Sequence, residues 1–276
     1  MPKWDADVTV TGRRGSAHVR WHVPEEAPVA LVYGGLNHAV MLASPGDLQD
    51  FALGFSVTEG IVKRPDDIRN IEVFEKDQGI DLMITLKDAP FERFKLKHSR
   101  RTMTGRTGCG LCGIDSMEEL FQTVRPVAEM PAALDEAVVR KAVCAFDGLQ
   151  PLKKLNRSVH GAAWVTLAGD ITLVREDVGR HNALDKLLGA LMRDGTDMTS
   201  GFVLVSSRAS YEMAQKCVAV GAPALVCLSA PTAFAIRLAQ EARLTSPTGP
   251  LMALSASSLS VSAAARQAGA AWARNC

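Results

Sequence analysis

FVLVSSRASYEMAQKCVAVGAPALVCL, residues 202–228, decides the fold. Phe202 to Val205 and Ala224 to Leu228 are short, apolar and rich in β-branched residues, as buried strands are. Tyr211 to Val220 reads as a helix that stops at Gly221, a residue that accepts the left-handed backbone of a helix C-terminus. Strand, helix and strand in succession predict one unit of a layered α/β domain with parallel strand pairs.

The surrounding sequence continues the alternation. Val138, Val139, Ala142, Val143 and Phe146 mark a helix upstream. Ala162 to Leu167 and Ile171 to Val174 are strands joined by a turn at Gly169-Asp170, and a helix follows over Asn182 to Leu191. Downstream, Ala233 to Arg243 is helical. Three strand-to-helix loops share a polar character: Arg175 to Asn182, Ser206-Ser207-Arg208-Ala209-Ser210, and Ser229-Ala230-Pro231-Thr232. With parallel strands they meet at one sheet edge, where open α/β sheets bind ligands. Helix N-termini carrying hydroxyls suit an anion such as phosphate, and Arg175, Arg180 and Arg208 add guanidinium forks. The plainer reading makes Ser210 and Thr232 helix caps. His181 and Asp177 are a candidate acid–base pair, and His160 stands before a strand. Cys144, Cys217 and Cys227 read as small buried hydrophobes.

The first half differs in pattern. Ala17, Val19, Trp21 and Val23 alternate with polar residues as in a half-buried strand. Ala27 to Tyr33 and Asn37 to Leu42 form a hairpin around Gly34-Gly35, and Ile71 to Phe74 with Ile80 to Leu86 form a second. Ser44-Pro45-Gly46-Asp47 predicts a helix start with Ser44 as cap and Pro45 in the first turn. Leu48, Phe51, Ala52 and Phe55 fall on one face of that helix, and Gly60 closes it.

A basic segment from Arg93 to Arg106 then leads into Gly105-Arg106-Thr107-Gly108-Cys109-Gly110-Leu111-Cys112-Gly113. The glycines make a loop, and Ser116 with Glu119 is a capping box that starts a helix near Ser116. Positive charge and a helix N-terminus favour a thiolate, so Cys109 and Cys112 are candidate nucleophiles. A structural zinc site needs four ligands. There is no second C-x-x-C, no histidine is followed two residues later by glutamate, and His18 and His22 lie far upstream. No metal site is expected. The spacing alone leaves a sulfur carrier and a thiol–disulfide oxidoreductase open.

The whole chain sets outer bounds. A 47% hydrophobic, 22% charged composition provides a core, and a net charge of +1 gives no general attraction to nucleic acid or membranes. There is no apolar run of about 20 residues and no signal-peptide core after Met1-Pro2-Lys3-Trp4-Asp5, and six cysteines are too few for a disulfide framework. These features predict a cytoplasmic protein with reduced thiols. Prolines 126 and 131 suggest a linker. The expected organisation is a loose N-terminus at 1–7, an α+β domain at 8–130 carrying the C-x-x-C loop, an α/β domain at 131–245, and a Ser/Ala-rich tail at 246–276.

Several stretches together resemble the formate dehydrogenase accessory sulfurtransferase (FdhD) family. They are Ser44-Pro45-Gly46-Asp47, Phe51 to Phe55, Thr58-Glu59-Gly60, Thr107 to Gly113, Glu176 to Lys186, Ser206 to Glu212, and Ser229 to Thr232. The resemblance implies a cytidine-deaminase-like three-layer α/β/α domain without deaminase zinc chemistry, beside a smaller N-terminal α+β domain. It implies a cytoplasmic, homodimeric sulfurtransferase. Cys109 would take sulfane sulfur from a cysteine desulfurase as a persulfide, assisted by Cys112, with Arg100, Arg101 and Arg106 stabilising the sulfur anion. The sulfur acceptor would be the molybdenum cofactor, Mo-bis(molybdopterin guanine dinucleotide), bound non-covalently before its insertion into formate dehydrogenase. The anionic edge then gains a ligand, and Arg175, Arg180, His181, Ser206, Ser207, Arg208, Ser229 and Thr232 become its candidate contacts. A non-catalytic chaperone that presents cofactor to the dehydrogenase is the alternative. Family members close with a V-G-F-x-[RK]-x-G-R-x-x-V-Y-like segment; this chain reads Ser246-Pro247-Thr248-Gly249-Pro250-Leu251 there. No binding residues are carried over onto it.

Overall fold

The computed structural model describes residues 7–14, 17–101, 126–131 and 134–244. Cys109, Cys112, Arg106, the helix expected near Ser116, the N-terminal residues 1–6 and the tail from 245 onward lie outside the described residues, as do the side chains of Arg100 and Arg101.

The first half builds two sheets. Strands β1 (Asp7–Arg14) and β2 (Ala17–Pro24) pair antiparallel as a ribbon. Strands β3 (Ala27–Tyr33), β4 (Leu36–Ala43), β5 (Ile68–Lys76) and β6 (Gly79–Leu86) form a four-stranded sheet ordered β4-β3-β6-β5. Both predicted hairpins are present, and β3 and β6 join them in parallel. Gly34 and Gly35 turn the first hairpin with φ of 54° and 86°, values that glycine tolerates without a Cβ clash.

Helix α1 (Leu48–Thr58) packs on this sheet. Its cap corrects the expectation from Ser44-Pro45. The N-cap is Asp47, in a left-handed conformation with φ 54° and no side-chain cap bond. Ser44 turns away and accepts from the Val178 N–H through its hydroxyl, at 3.2 Å. Gly60 follows the helix with φ 65°, as a terminating glycine should. The basic segment that leads into the C-x-x-C loop is in part helical: α2 spans Asp88–Arg101. Its Phe94 packs on Tyr33, with ring centroids 5.0 Å apart.

The second half is the expected three-layer arrangement. Helices α3 (Glu136–Phe146) and α4 (Pro151–Asn156) precede β7 (His160–Thr166) and β8 (Ile171–Asp177). Then come α5 (Arg180–Arg193), β9 (Gly201–Arg208), α6 (Tyr211–Ala219), β10 (Leu225–Ser229) and α7 (Ala233–Ala242). The sheet runs β10-β9-β7-β8. Strand side chains alternate faces, and so does the core. Trp164, Val203, Val205 and Leu225 pack on α5, α6 and α7. Ala163, Val165, Phe202, Leu204 and Val226 pack on α3. As the turn at Gly169-Asp170 predicts, β7 and β8 pair antiparallel; β7 is antiparallel to β9 as well, and β9 and β10 form the parallel pair of this sheet. Because β8 and β9 both oppose β7, strands β8, β9 and β10 still point the same way.

The two halves meet where α1 crosses α5. Ten of the eleven α1 residues are buried, all but Gln49, so this helix is enclosed on every side rather than amphipathic. The crossing is closed by glycines. A Cβ on Gly54 would lie 1.9 Å from the Asp185 carbonyl oxygen, and one on Gly189 would lie 1.9 Å from that of Asp50. Backbone therefore rests on backbone, and no side chain fits between.

Gly189→Ala tests the crossing. Alanine has the higher helix propensity by roughly 1 kcal/mol, yet a methyl group here meets a carbonyl that cannot swing away. Net destabilisation of about 1–3 kcal/mol is expected from overpacking, read as a lower urea midpoint. A rise in stability would show that the helices can separate freely.

Candidate functional site

The shared direction of β8, β9 and β10 brings their three following loops to one edge of the sheet, as expected. Arg180, Tyr211 and Ala233 open the three helices that leave that edge. Antiparallel β7 begins there too, with His160 opposite Asp177 in the register. Three helix N-termini, each with unsatisfied N–H groups, therefore face one region.

His181 Nε2 lies 2.8 Å from Glu212 Oε2, so the first turn of α5 touches the first turn of α6. This contact replaces the His181–Asp177 pair expected from sequence. The Glu212 carboxyl is held below its ordinary pKa by His181, against the opposing effect of burial. His160 stands nearby with its pKa lowered, first by burial and then by the positive charge of Arg180. Ser206 accepts from the Gly161 N–H at 2.9 Å. Buried Ser207 turns its hydroxyl onto the Arg208 carbonyl. The Thr232 N–H donates to the Ala209 carbonyl at 3.0 Å, tying the second and third loops together.

Three polar atoms at this edge are buried without a hydrogen-bond partner among the described residues: Arg180 Nε, Ser210 Oγ and His181 Nε2, which approaches Glu212 at ion-pair distance but without hydrogen-bond geometry. Arg180 Nε is a donor by nature, and Ser210 Oγ carries a donor hydrogen. Ser210 occupies the N-cap of α6 but makes no side-chain cap bond, so capping does not account for it, contrary to the plainer sequence reading. Thr232 is a true cap, accepting from the Ala235 N–H. Arg208 and Ser229 are exposed, and Arg208 has no ion-pair partner among the described residues.

Arg175 is placed differently. Its guanidinium donates twice to Asp50 Oδ2, at 2.9 and 2.8 Å, and Asp47 lies 3.5 Å away. It binds the start of α1 rather than offering a free fork to the edge. Asp177 is likewise internal. It is fully buried and takes bonds from the N–H groups of Ser44 and Gly179, from Asn182 and from the Lys186 ammonium at 2.6 Å. Lys186 also donates to the Ser44 carbonyl, and Asn182 to that of Leu42. At the other end of α1, Lys216 donates to Thr58, Glu59 and Asp185 at 2.7–3.0 Å. Burial pulls the Lys216 pKa down, but Asp185 and Glu59 outweigh it and the net shift is upward. Glu176 turns outward to cap α4 through the N–H groups of Leu152 and Lys153.

Sequence reasoning missed Glu212 and Lys216. The signal for Glu212 was its place one residue after the N-terminus of α6, beside a loop already marked as polar. Lys216 carried no signal, since a helical lysine ordinarily faces solvent. Cys217 and Cys227 are buried, as expected, with thiol pKa values pushed up by burial, that of Cys227 to about 11. Cys144 instead lies on the exposed side of α3.

The model of the FdhD/NarQ family matches residues 24–246, a span that contains both halves, the edge and the C-x-x-C loop. The chain belongs to the FdhD/NarQ family. It is 52% identical over 227 residues to a protein of Bordetella petrii named sulfur carrier protein FdhD, covering 82% of this chain and 81% of that one. It is 51% identical over 223 residues to the protein of that name from Cupriavidus necator, covering 81% and 76%. The fold resembles the crystal structure of a protein from Desulfotalea psychrophila described as a formate dehydrogenase accessory protein, with a TM-score of 0.64 over 86% of this chain and 88% of that one at 22% identity. The family match ends at Ser246, where the expected closing segment is replaced. Among the described residues no helix is long and apolar enough to cross a membrane.

The titration of His160 gives a stability test. Its folded pKa lies below the unfolded value of about 6.5, so the unfolded chain binds the proton first as pH falls. The contribution is therefore full above about pH 6.5 and is lost as pH drops towards the folded pKa. Urea midpoints taken at steps from pH 7.5 to 5 are expected to fall, and His160→Gln is expected to flatten that fall. Equal slopes for both proteins would contradict the placement.

Proposed function

We propose that this protein is a sulfur carrier serving formate dehydrogenase. The observation that carries the proposal is the family match across residues 24–246, which includes Cys109 and Cys112, together with relatives above 50% identity that bear the sulfur-carrier name. In the finer reading, the Cys109 thiolate attacks the outer sulfur of a persulfide on a cysteine desulfurase. A sulfur–sulfur bond forms on Cys109, the donor's bond breaks, and its cysteine leaves as a thiolate. No external oxidant or reductant is consumed. Cys112 lies three residues on, in the same loop, and is placed to assist Cys109 as a second thiol. Arg100, Arg101 and Arg106 favour the anionic sulfur by charge.

The acceptor in this reading is the molybdenum cofactor, Mo-bis(molybdopterin guanine dinucleotide), taken as substrate and handed to formate dehydrogenase. The sheet edge supports a polyanionic ligand of this kind. Three helix N-termini, the exposed guanidinium of Arg208 and the partnerless Arg180 Nε and Ser210 Oγ all favour a group rich in acceptors. Arg175 contributes through α1, by holding it against β8, rather than by contact. The protein would act in the cytoplasm as a homodimer.

Complementation of a strain lacking its own accessory protein tests the proposal. Cys109→Ala is expected to abolish formate dehydrogenase activity, and Cys112→Ala to leave part of it at equal protein level. Full activity with Cys109→Ala would overturn the carrier reading in favour of a non-catalytic chaperone. Equal, complete loss with either variant would favour a disulfide mechanism.

A further inference from the structure

The β1–β2 ribbon lies almost wholly before residue 24, where the family match starts, so nothing in the family description accounts for it. A cavity of about 600 Å³ opens between this ribbon and the end of α4, lined by Arg13, Trp21, Leu155, Asn156 and Arg157. That volume lies within the range of small-molecule sites.

The lining is chemically one-sided. Arg13 and Arg157 have no ion-pair partner among the described residues, and arginine only donates. Asn156 is 3% exposed, and its Nδ2 is buried with no hydrogen-bond partner among the described residues, while its Oδ1 is taken by the Ser158 N–H. The unpartnered group of Asn156 is thus also a donor, enclosed in the wall of the cavity. Trp21 and Leu155 are large apolar side chains left 49% and 53% exposed. Folding alone gives no reason to gather two unpaired guanidiniums, an orphaned amide N–H and an open indole around one cavity. Their like charges repel each other, and the amide is desolvated without compensation.

We propose that this cavity binds a planar ring that carries a phosphate group. Two guanidinium forks offer more N–H groups than a carboxylate's two oxygens can use, and they suit a phosphate's three. The Trp21 indole provides the stacking face for the ring, and Leu155 the apolar wall. None of the lining residues belongs to the edge set of Ser206, Arg208 and Thr232, and the proposal does not rest on the sulfur-carrier reading.

Calorimetric titration of the full chain tests this, with adenosine 5′-monophosphate as the ring phosphate and adenosine and inorganic phosphate as separate arms. The monophosphate is expected to bind at least tenfold more tightly than either part alone. Arg13→Ala, Arg157→Ala and Trp21→Ala should each weaken it about tenfold or more, the scale of one charge-assisted contact. Arg208→Ala should leave it unchanged. These side chains are solvent-facing, and unchanged thermal unfolding would confirm that the variants fold. Absence of saturable binding to the wild-type chain at millimolar ligand overturns the proposal. So does binding that survives the ribbon and α4 substitutions, or binding that Arg208→Ala removes.

Discussion

The crossing of α1 and α5 on Gly54 and Gly189 is the constraint on which the rest of the molecule depends. At this point each helix backbone stands where a side chain of the other would need to be. Such an approach leaves little room for adjustment, because protein interiors transmit displacement rather than absorb it. It also brings polar groups of one half within reach of the other. Asp50 is held by Arg175 and Arg193, Asp177 by Ser44 and Lys186, and Asp185 by Thr58 and Lys216. Each pair or triplet spans the two halves, and removal of one member would strand a buried charge.

This interlock sets the position of the sheet edge. Asp177 ends β8, Lys186 lies on α5, and Ser44 begins the approach to α1. Their shared cluster fixes the turn from Asp177 to Arg180, and hence the direction in which Arg180 and His181 enter the edge. Lys216, on α6, is pinned to Glu59 and Asp185 and holds the helix whose first turn carries Glu212. The His181–Glu212 contact thus joins two elements that are each anchored to α1. The first-half helix has no residue in the edge, yet it determines how two of the three loops are presented.

Much of this was legible in sequence where local chemistry dominates. The strands of both hairpins, the helix stops at Gly60 and Gly221, and the gathering of three polar loops at one edge followed from period and turn residues. The edge does not need every strand to be parallel: β7 runs against its neighbours, but two reversals give β8 and β9 a common direction. The readings that failed were those that tertiary contacts decide. Ser44 looked like a helix cap and instead serves Val178. Asp177 looked like a partner for His181 and instead neutralises a buried lysine. Arg175 looked like a phosphate fork and instead binds Asp50. Lys186 and Lys216 are charged residues on helices, which ordinarily means solvent, and only the opposing half of the chain explains their burial. Glycines 54 and 189 hint at a close approach, since a helix interior disfavours glycine unless something presses against it, but only the opposing half of the chain shows what does.

The central claim is that sulfur rides on Cys109. The direct measurement is to incubate the protein with a cysteine desulfurase and sulfur-labelled cysteine, then weigh the peptide that contains residues 105–113 without reduction. The proposal predicts a gain of one labelled sulfur atom on that peptide, lost in Cys109→Ala and retained in Cys112→Ala. An unlabelled peptide lighter by two hydrogens, the mass of a Cys109–Cys112 disulfide, would contradict it.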